Sequence, residues 1–104
     1  MRTIFRFVKT STENRILIFD EDSLMAFAKH LKELRKEIGI TQTQLAFESG
    51  LSLSQIARIE TAKINPTLST VFAITRALDI PPRKMFDFEL PQKEESNNKK
   101  NKTI

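Results

Sequence analysis

Side chains able to do covalent or metal chemistry are scarce in this sequence, which holds no cysteine, no tyrosine and one histidine, His30, among 104 residues. The missing cysteines exclude disulfides, thiol nucleophiles and cysteine-ligated metals. His30 has no second histidine near it, so a partly exposed structural role outweighs ligation or acid–base work. With no nucleophile and base to pair, no metal cluster and no glycine-rich phosphate loop, enzymatic activity is the weakest reading, and neither a metal nor a cofactor is expected. What remains is chemistry of contact, and it is densest between Thr41 and Glu60, in TQTQLAFESGLSLSQIARIE. The hydroxyls and amides of Thr41, Gln42, Thr43, Ser52 and Ser54 and the guanidinium of Arg58 can donate and accept hydrogen bonds to a partner.

Two short helices must position those groups. Thr41 is a natural N-cap, with Gln44 three residues on as the reciprocal partner of a capping box, and the first helix runs from Gln42 to Ser49 with Leu45 and Ala46 inward. Gly50 supplies the positive φ of a sharp turn, Leu51 plugs the corner, and Ser52 caps a second helix from Leu53 to about Thr61. Ile56 and Ile59 face in, which leaves Leu53, Ser54, Ala57 and Arg58 on an outer face.

The flanking chain supplies the scaffold. Thr3 to Lys9 (TIFRFVK) and Arg15 to Phe19 (RILIF) are rich in aromatic and β-branched residues and predict a β-hairpin across the polar link from Thr10 to Asn14. Its apolar residues, Phe5, Phe7, Ile16 and Ile18 or the alternate set, need a surface to cover, because a lone hairpin is marginal in water. It packs on its own helical body, pairs with a second copy, or stays a partly ordered arm. Ser23 is a plausible N-cap after Asp20, Glu21 and Asp22, and Leu24, Phe27, Leu31, Leu34 and Ile38 recur at helical steps, with Lys29, Lys32, Glu33, Lys36 and Glu37 opposite and Gly39 as the stop. Thr67 caps a fourth helix carrying Leu68, Val71, Phe72, Ile74, Ala77 and Leu78. Pro82 opens a last short one, from Arg83 to about Phe86, whose Met85 and Phe86 close the core. From Pro91 onward one residue in fourteen is apolar, the composition of a disordered, weakly basic tail.

Charge alone does not identify a partner. The net charge is +4 and the isoelectric point is near 9.6, compatible with a polyanion and also with many small cytoplasmic proteins. Residues 23 to 90 carry nine basic and seven acidic groups. Arg2, Arg6 and Lys9 interrupt the N-terminus before signal-peptide length, and no run approaches the ~20 apolar residues of a membrane span, so a soluble, unexported, cytoplasmic protein is expected. A chain of this size is expected to hold one domain and to be regulated through partners or concentration.

The stretch from Leu31 to Phe86 resembles the lambda-repressor-like, Cro-type (XRE) helix-turn-helix domains. The matching residues include Thr41-Gln42, Leu45-Ala46, Gly50-Leu51-Ser52, Ile56, Ile59-Glu60, Asn65-Pro66 and the series Leu68, Val71, Ile74, Leu78, Ile80. The resemblance implies a mainly α protein: a five-helix DNA-binding bundle, here preceded by the hairpin (residues 1–22) and followed by the tail (89–104). The domain would span 23–88, with the helix-turn-helix proper at 41–61. The third helix would read DNA, and a helix of ordinary girth fits the ~12 Å major groove. The amides at Thr41 to Thr43, with the Gln42 side chain as an added donor, would meet a phosphate, joined by Ser52 and Lys63. Arg58 would reach either guanine O6 and N7 or a phosphate; Ser54 would hydrogen bond, and Leu53 and Ala57 would touch thymine methyls. Leu53 departs from the polar or basic residue often found there, and Ala62 from the family's frequent glycine. Arg35 and Glu60 occupy the positions of an ion pair in relatives. Phe47 is expected either to pack locally at the helix edge or to be covered by the hairpin.

The leading function is then a sequence-specific transcriptional regulator, a homodimeric repressor on a palindromic stretch of double-stranded DNA with half-sites ~34 Å apart. Restriction-modification controllers and antitoxins that bind a toxin are variants of it. The alternative is a protein-interaction module that keeps the fold and binds another regulator.

Overall fold

A computed structural model of the chain describes residues 6–9 and 16–92. Strands β1 (Arg6–Lys9) and β2 (Ile16–Phe19) pair antiparallel, Arg6 opposite Phe19 and Lys9 opposite Ile16. Five helices follow: α1 (Glu21–Ile38), α2 (Gln42–Ser49), α3 (Leu53–Glu60), α4 (Leu68–Leu78) and α5 (Pro82–Met85). This is the expected mainly helical bundle behind a strand pair. Phe5 and the link from Thr10 to Asn14 lie outside the described residues, as does the expected disordered tail from residue 93 on.

One core joins all five helices. Leu31, Leu45, Ile56, Ile59, Ile74 and Met85 are fully buried, and Phe27, Leu34, Ala46, Val71 and Leu78 complete the cluster. The spacing of these residues explains the helices that carry them: Phe27, Leu31 and Leu34 on α1, and Val71, Ile74 and Leu78 on α4, recur at three- and four-residue steps and so share one face. Gly39 ends α1 at φ 90° and donates its N–H to the Arg35 carbonyl. That left-handed conformation is cheap for glycine and costly for residues with a Cβ.

Three local expectations are corrected. The cap of α1 is Asp20, not Ser23: the Asp20 carboxylate accepts from the Ser23 amide at 3.2 Å and the Ser23 hydroxyl at 2.7 Å. The charged oxygen is the stronger acceptor, and starting at Glu21 places two acidic residues in the first turn, where the helix dipole favours them. Ile38 is exposed, and Arg35 takes the inward place on the last turn, because the chain swings away at Gly39 and Ile40 packs against the core instead. Phe86 caps the C-terminus of α5 and remains exposed, while Phe88 packs on the core. Both rings lie tilted against Phe27, at centroid distances of 6.0 and 6.2 Å.

Candidate nucleic-acid interface

Both helices of the central motif begin with a complete capping box. The Thr41 hydroxyl accepts from the Gln44 amide at 3.0 Å, and the Gln44 side chain accepts from the Thr41 amide at 3.0 Å. Ser52 and Gln55 repeat the arrangement at 3.1 Å each way. Between them Gly50 adopts φ 78°, and the Gly50 and Leu51 amides both donate to the Ala46 carbonyl, at 3.0 and 3.1 Å. The turn angle is therefore set by backbone bonds that only a positive φ at residue 50 permits.

The boxes also decide which amides are free. The Thr41 amide is occupied by Gln44, so of the three expected at the start of α2 only those of Gln42 and Thr43 remain open, beside the Thr41 hydroxyl hydrogen. At α3 the Gln55 amide is taken by Ser52, leaving those of Leu53 and Ser54. Two adjacent open amides at the positive end of a helix are a setting for an anion.

On α3, Ile56, Ile59 and Glu60 point inward, Leu53, Ser54 and Arg58 are exposed, and Ala57 is half-buried. All four candidate readers thus share the outer side of one helix of eight residues, ~12 Å long. The Arg58 guanidinium has no hydrogen-bonding or acidic partner among the described residues, and Lys63, just past the helix, likewise leaves its ammonium open. The Ser52 hydroxyl is engaged in its cap. Ala62 sits at φ 58°: the helix exit uses the left-handed conformation with an alanine, which stores strain in the turn.

Behind the outer face of α3 lies a buried polar node. Arg35 Nε donates to Glu60 Oε2 at 2.6 Å and Arg35 Nη2 to Glu60 Oε1 at 3.0 Å, with Arg35 Nη1 donating to the Ile40 carbonyl at 3.0 Å. The Glu60 side chain is 0% exposed and that of Arg35 10%. A bidentate guanidinium–carboxylate pair of this kind holds orientation as well as charge, and it ties α1 to the end of α3. Sequence reasoning missed its third member. Gln42 Nε2 donates to Glu60 Oε1 at 2.9 Å, bringing the first residue of α2 into the node; a side-chain amide has two donor hydrogens, so one is left for a ligand. Their separation of eighteen residues gave no periodic signal from which the contact could be read.

Phe47 fits neither expectation. It is 84% exposed, because α2 turns only Leu45 and Ala46 into the core. His30 donates from Nε2 to the Lys84 carbonyl at 2.8 Å and lies against the Phe88 ring, a contact that fastens α5 to α1. Among the described residues no group of three or more histidine and acidic side chains could hold a metal ion, and no helix is long and apolar enough to cross a membrane.

Comparison with known proteins finds relatives of this chain in both sequence and fold. A helix-turn-helix family model matches residues 31–85. The immunity repressor protein of Bacillus phage phi105 is 40% identical over 83 residues, 77% of this chain and 58% of the repressor, so the chain spans little more than half of that relative's length. An uncharacterised helix-turn-helix transcriptional regulator of Haemophilus influenzae is 36% identical over 59% of this chain and 68% of its own. Among solved structures, the restriction-modification controller protein C.AhdI from Aeromonas hydrophila superposes with a TM-score of 0.59 at 40% identity, covering 61% of this chain and 96% of the controller. C.Esp1396I bound to a 25 base pair operator site gives 0.58 at 30% identity, over 62% of this chain and 84% of that one.

Proposed function

Because the chain belongs to the Cro-type (XRE) helix-turn-helix family, we propose that it is a sequence-specific DNA-binding transcriptional regulator, a homodimeric repressor of palindromic operators. The observation that carries this reading is the unpartnered Arg58 guanidinium on the exposed side of α3, in a helix pair whose first member leaves two adjacent amides open. The amides of Gln42 and Thr43, with the Thr41 hydroxyl and Lys63, grip phosphate and set register, while Leu53, Ser54, Ala57 and Arg58 meet base edges. Ser52 acts mainly by capping. The Arg35–Glu60–Gln42 node holds both helices in the relative position that docking requires. The DNA-binding unit is residues 23–88, with 41–61 as its docking part.

Two copies are needed because the central motif, with Arg58 and Lys63 as its open cations, neutralises few phosphates by itself. Ile18, Leu68, Phe86 and Leu90 stand exposed around one apolar groove, an area a second copy would cover. The protein works in the cytoplasm, catalyses no reaction and uses no cofactor. Likeness to restriction-modification controllers, over 96% of C.AhdI and 84% of the operator-bound C.Esp1396I, supports the controller form of this reading.

The test is selection of bound sequences from a random duplex pool, by the unmodified protein and by Arg58→Ala. A motif enriched by the first and relaxed at one or two positions by the second supports the reading. No enrichment by the unmodified protein refutes operator binding, and a motif unchanged by the substitution removes Arg58 as a base reader. A second reading rests on Phe47 and Leu53, which are 84% and 48% exposed: the same fold docks another protein, such as a toxin or a second regulator. Affinity for a duplex that falls steeply with salt distinguishes the first reading from the second.

A further inference from the structure

Lys29, Lys32 and Lys36 follow one another at three and four residues along α1 and therefore lie along one side of that helix. With Met25 and Ala28 they form one wall of a groove whose other wall is Glu60, Thr61 and Ala62, the exit of α3. The groove is held rigidly, since the Arg35–Glu60 pair fastens α1 to α3 beside it. Its charge is one-sided. Glu60 is buried and taken by Arg35, so the exposed carboxylate among the lining residues is Glu33, which meets Lys29 at 3.9 Å with both side chains well exposed. Such a surface pair is weak. Lys32 and Lys36 have no acidic partner among the described residues.

Resting on the DNA-binding reading above, we propose that Lys29, Lys32 and Lys36 form a second phosphate-binding row, which engages the duplex backbone passing the exit of α3. A helix lying in the major groove brings its ends close to the sugar-phosphate walls, and the end of α3 is bordered by this row together with Lys63. The start of α2 supplies two amides and no cation. The row thus provides most of the charge neutralisation that the central motif lacks. It adds affinity and salt dependence without adding sequence preference, because phosphates carry no base information.

The experiment uses the full chain and the duplex recovered by the pool selection. Binding is measured between about 50 and 200 mM salt for the unmodified protein, for Lys32→Gln/Lys36→Gln, and for Arg76→Gln/Arg83→Gln, which removes the same charge from α4 and α5. Each phosphate contact contributes about 0.9 to the slope of log affinity against log salt. The lysine pair should lower that slope by about 2 per protomer and weaken binding at low salt by tenfold or more; adding Lys29→Gln lowers it further. The arginine pair should leave the slope near that of the unmodified protein, and the selected motif should be the same throughout. Equal slopes for the lysine variant and the unmodified protein overturn the row, leaving it a solvated helix face; equal losses in both variants show a net-charge effect and overturn it too. Failure of the unmodified protein to bind any duplex in a salt-dependent way overturns the DNA-binding reading and the row together.

Discussion

Replacing Arg35 by methionine removes the two guanidinium hydrogen bonds to Glu60, at 2.6 and 3.0 Å, from a carboxylate whose side chain is 0% exposed. One neutral donor, Gln42 Nε2 at 2.9 Å, then remains to a buried negative charge. Breaking a buried pair by deleting one partner costs about 3–5 kcal/mol, about a fifth or more of the 5–15 kcal/mol typical of a whole domain. For a bundle of this size the unfolding midpoint should fall by ~4–8 °C per kcal/mol, so Arg35→Met should melt at least ~12 °C below the parent. Glu60→Leu alone should cost a similar amount, since it leaves the guanidinium with only the Ile40 carbonyl at 3.0 Å. The double variant Arg35→Met/Glu60→Leu puts two apolar side chains of similar volume together and should recover to within about 2 kcal/mol of the parent, because the desolvation cost of both charges is lifted as well. Urea unfolding of the four proteins gives the coupling energy directly, provided their m-values agree. If the two single losses simply add in the double variant, the node is not what joins α1 to α3. The double variant also loses the acceptor for Gln42, and it should bind a selected duplex more weakly than its stability alone would suggest, by the cost of loosening the start of α2.

Ala62→Gly relieves the left-handed strain at φ 58°, worth ~1–2 kcal/mol, against ~0.4–1 kcal/mol of extra unfolded-chain entropy; a net rise of the melting temperature by a few degrees is expected, and a fall would show that the turn is not strained. Ser52→Ala deletes one half of the α3 capping box and should cost ~1 kcal/mol in urea unfolding while weakening duplex binding by no more than that loss explains; a far larger binding defect would assign Ser52 a direct phosphate contact. Phe47→Gln should leave stability within ~0.5 kcal/mol, given 84% exposure, and should remove any self-association beyond the dimer seen by light scattering. A large loss of stability would mean that the ring is covered after all.

The helix-turn-helix was legible because its signals are local. Thr41 and Gln44, and Ser52 and Gln55, act across three residues, and Gly50 acts on its own φ, so short-range spacing contained what was needed for the caps and the turn. The inward face of α3 follows from helical periodicity in the same way, as do Val71, Ile74 and Leu78 on α4, whereas Leu68 and Phe72 of the same apolar run are exposed. The boundary of α1 was misread because Asp20 and Ser23 compete for one cap, and their relative strength depends on charge as well as residue type. Ile38 and Phe86 were misread for another reason: periodicity says which side of a helix is apolar, but not where the neighbouring helices stop covering it.

By itself, then, the sequence determined the helices, their caps, the turn and the set of four outward residues on α3, all consequences of contacts within about four residues. Tertiary structure alone decided that Gln42 joins Arg35 and Glu60, that Phe47 is left bare, and that three lysines of α1 border the exit of α3. Each of these depends on surfaces brought together by the burial of Leu31, Leu45, Ile56, Ile59 and Ile74. The packing of that core, not spacing along the chain, sets the distance between groups tens of residues apart.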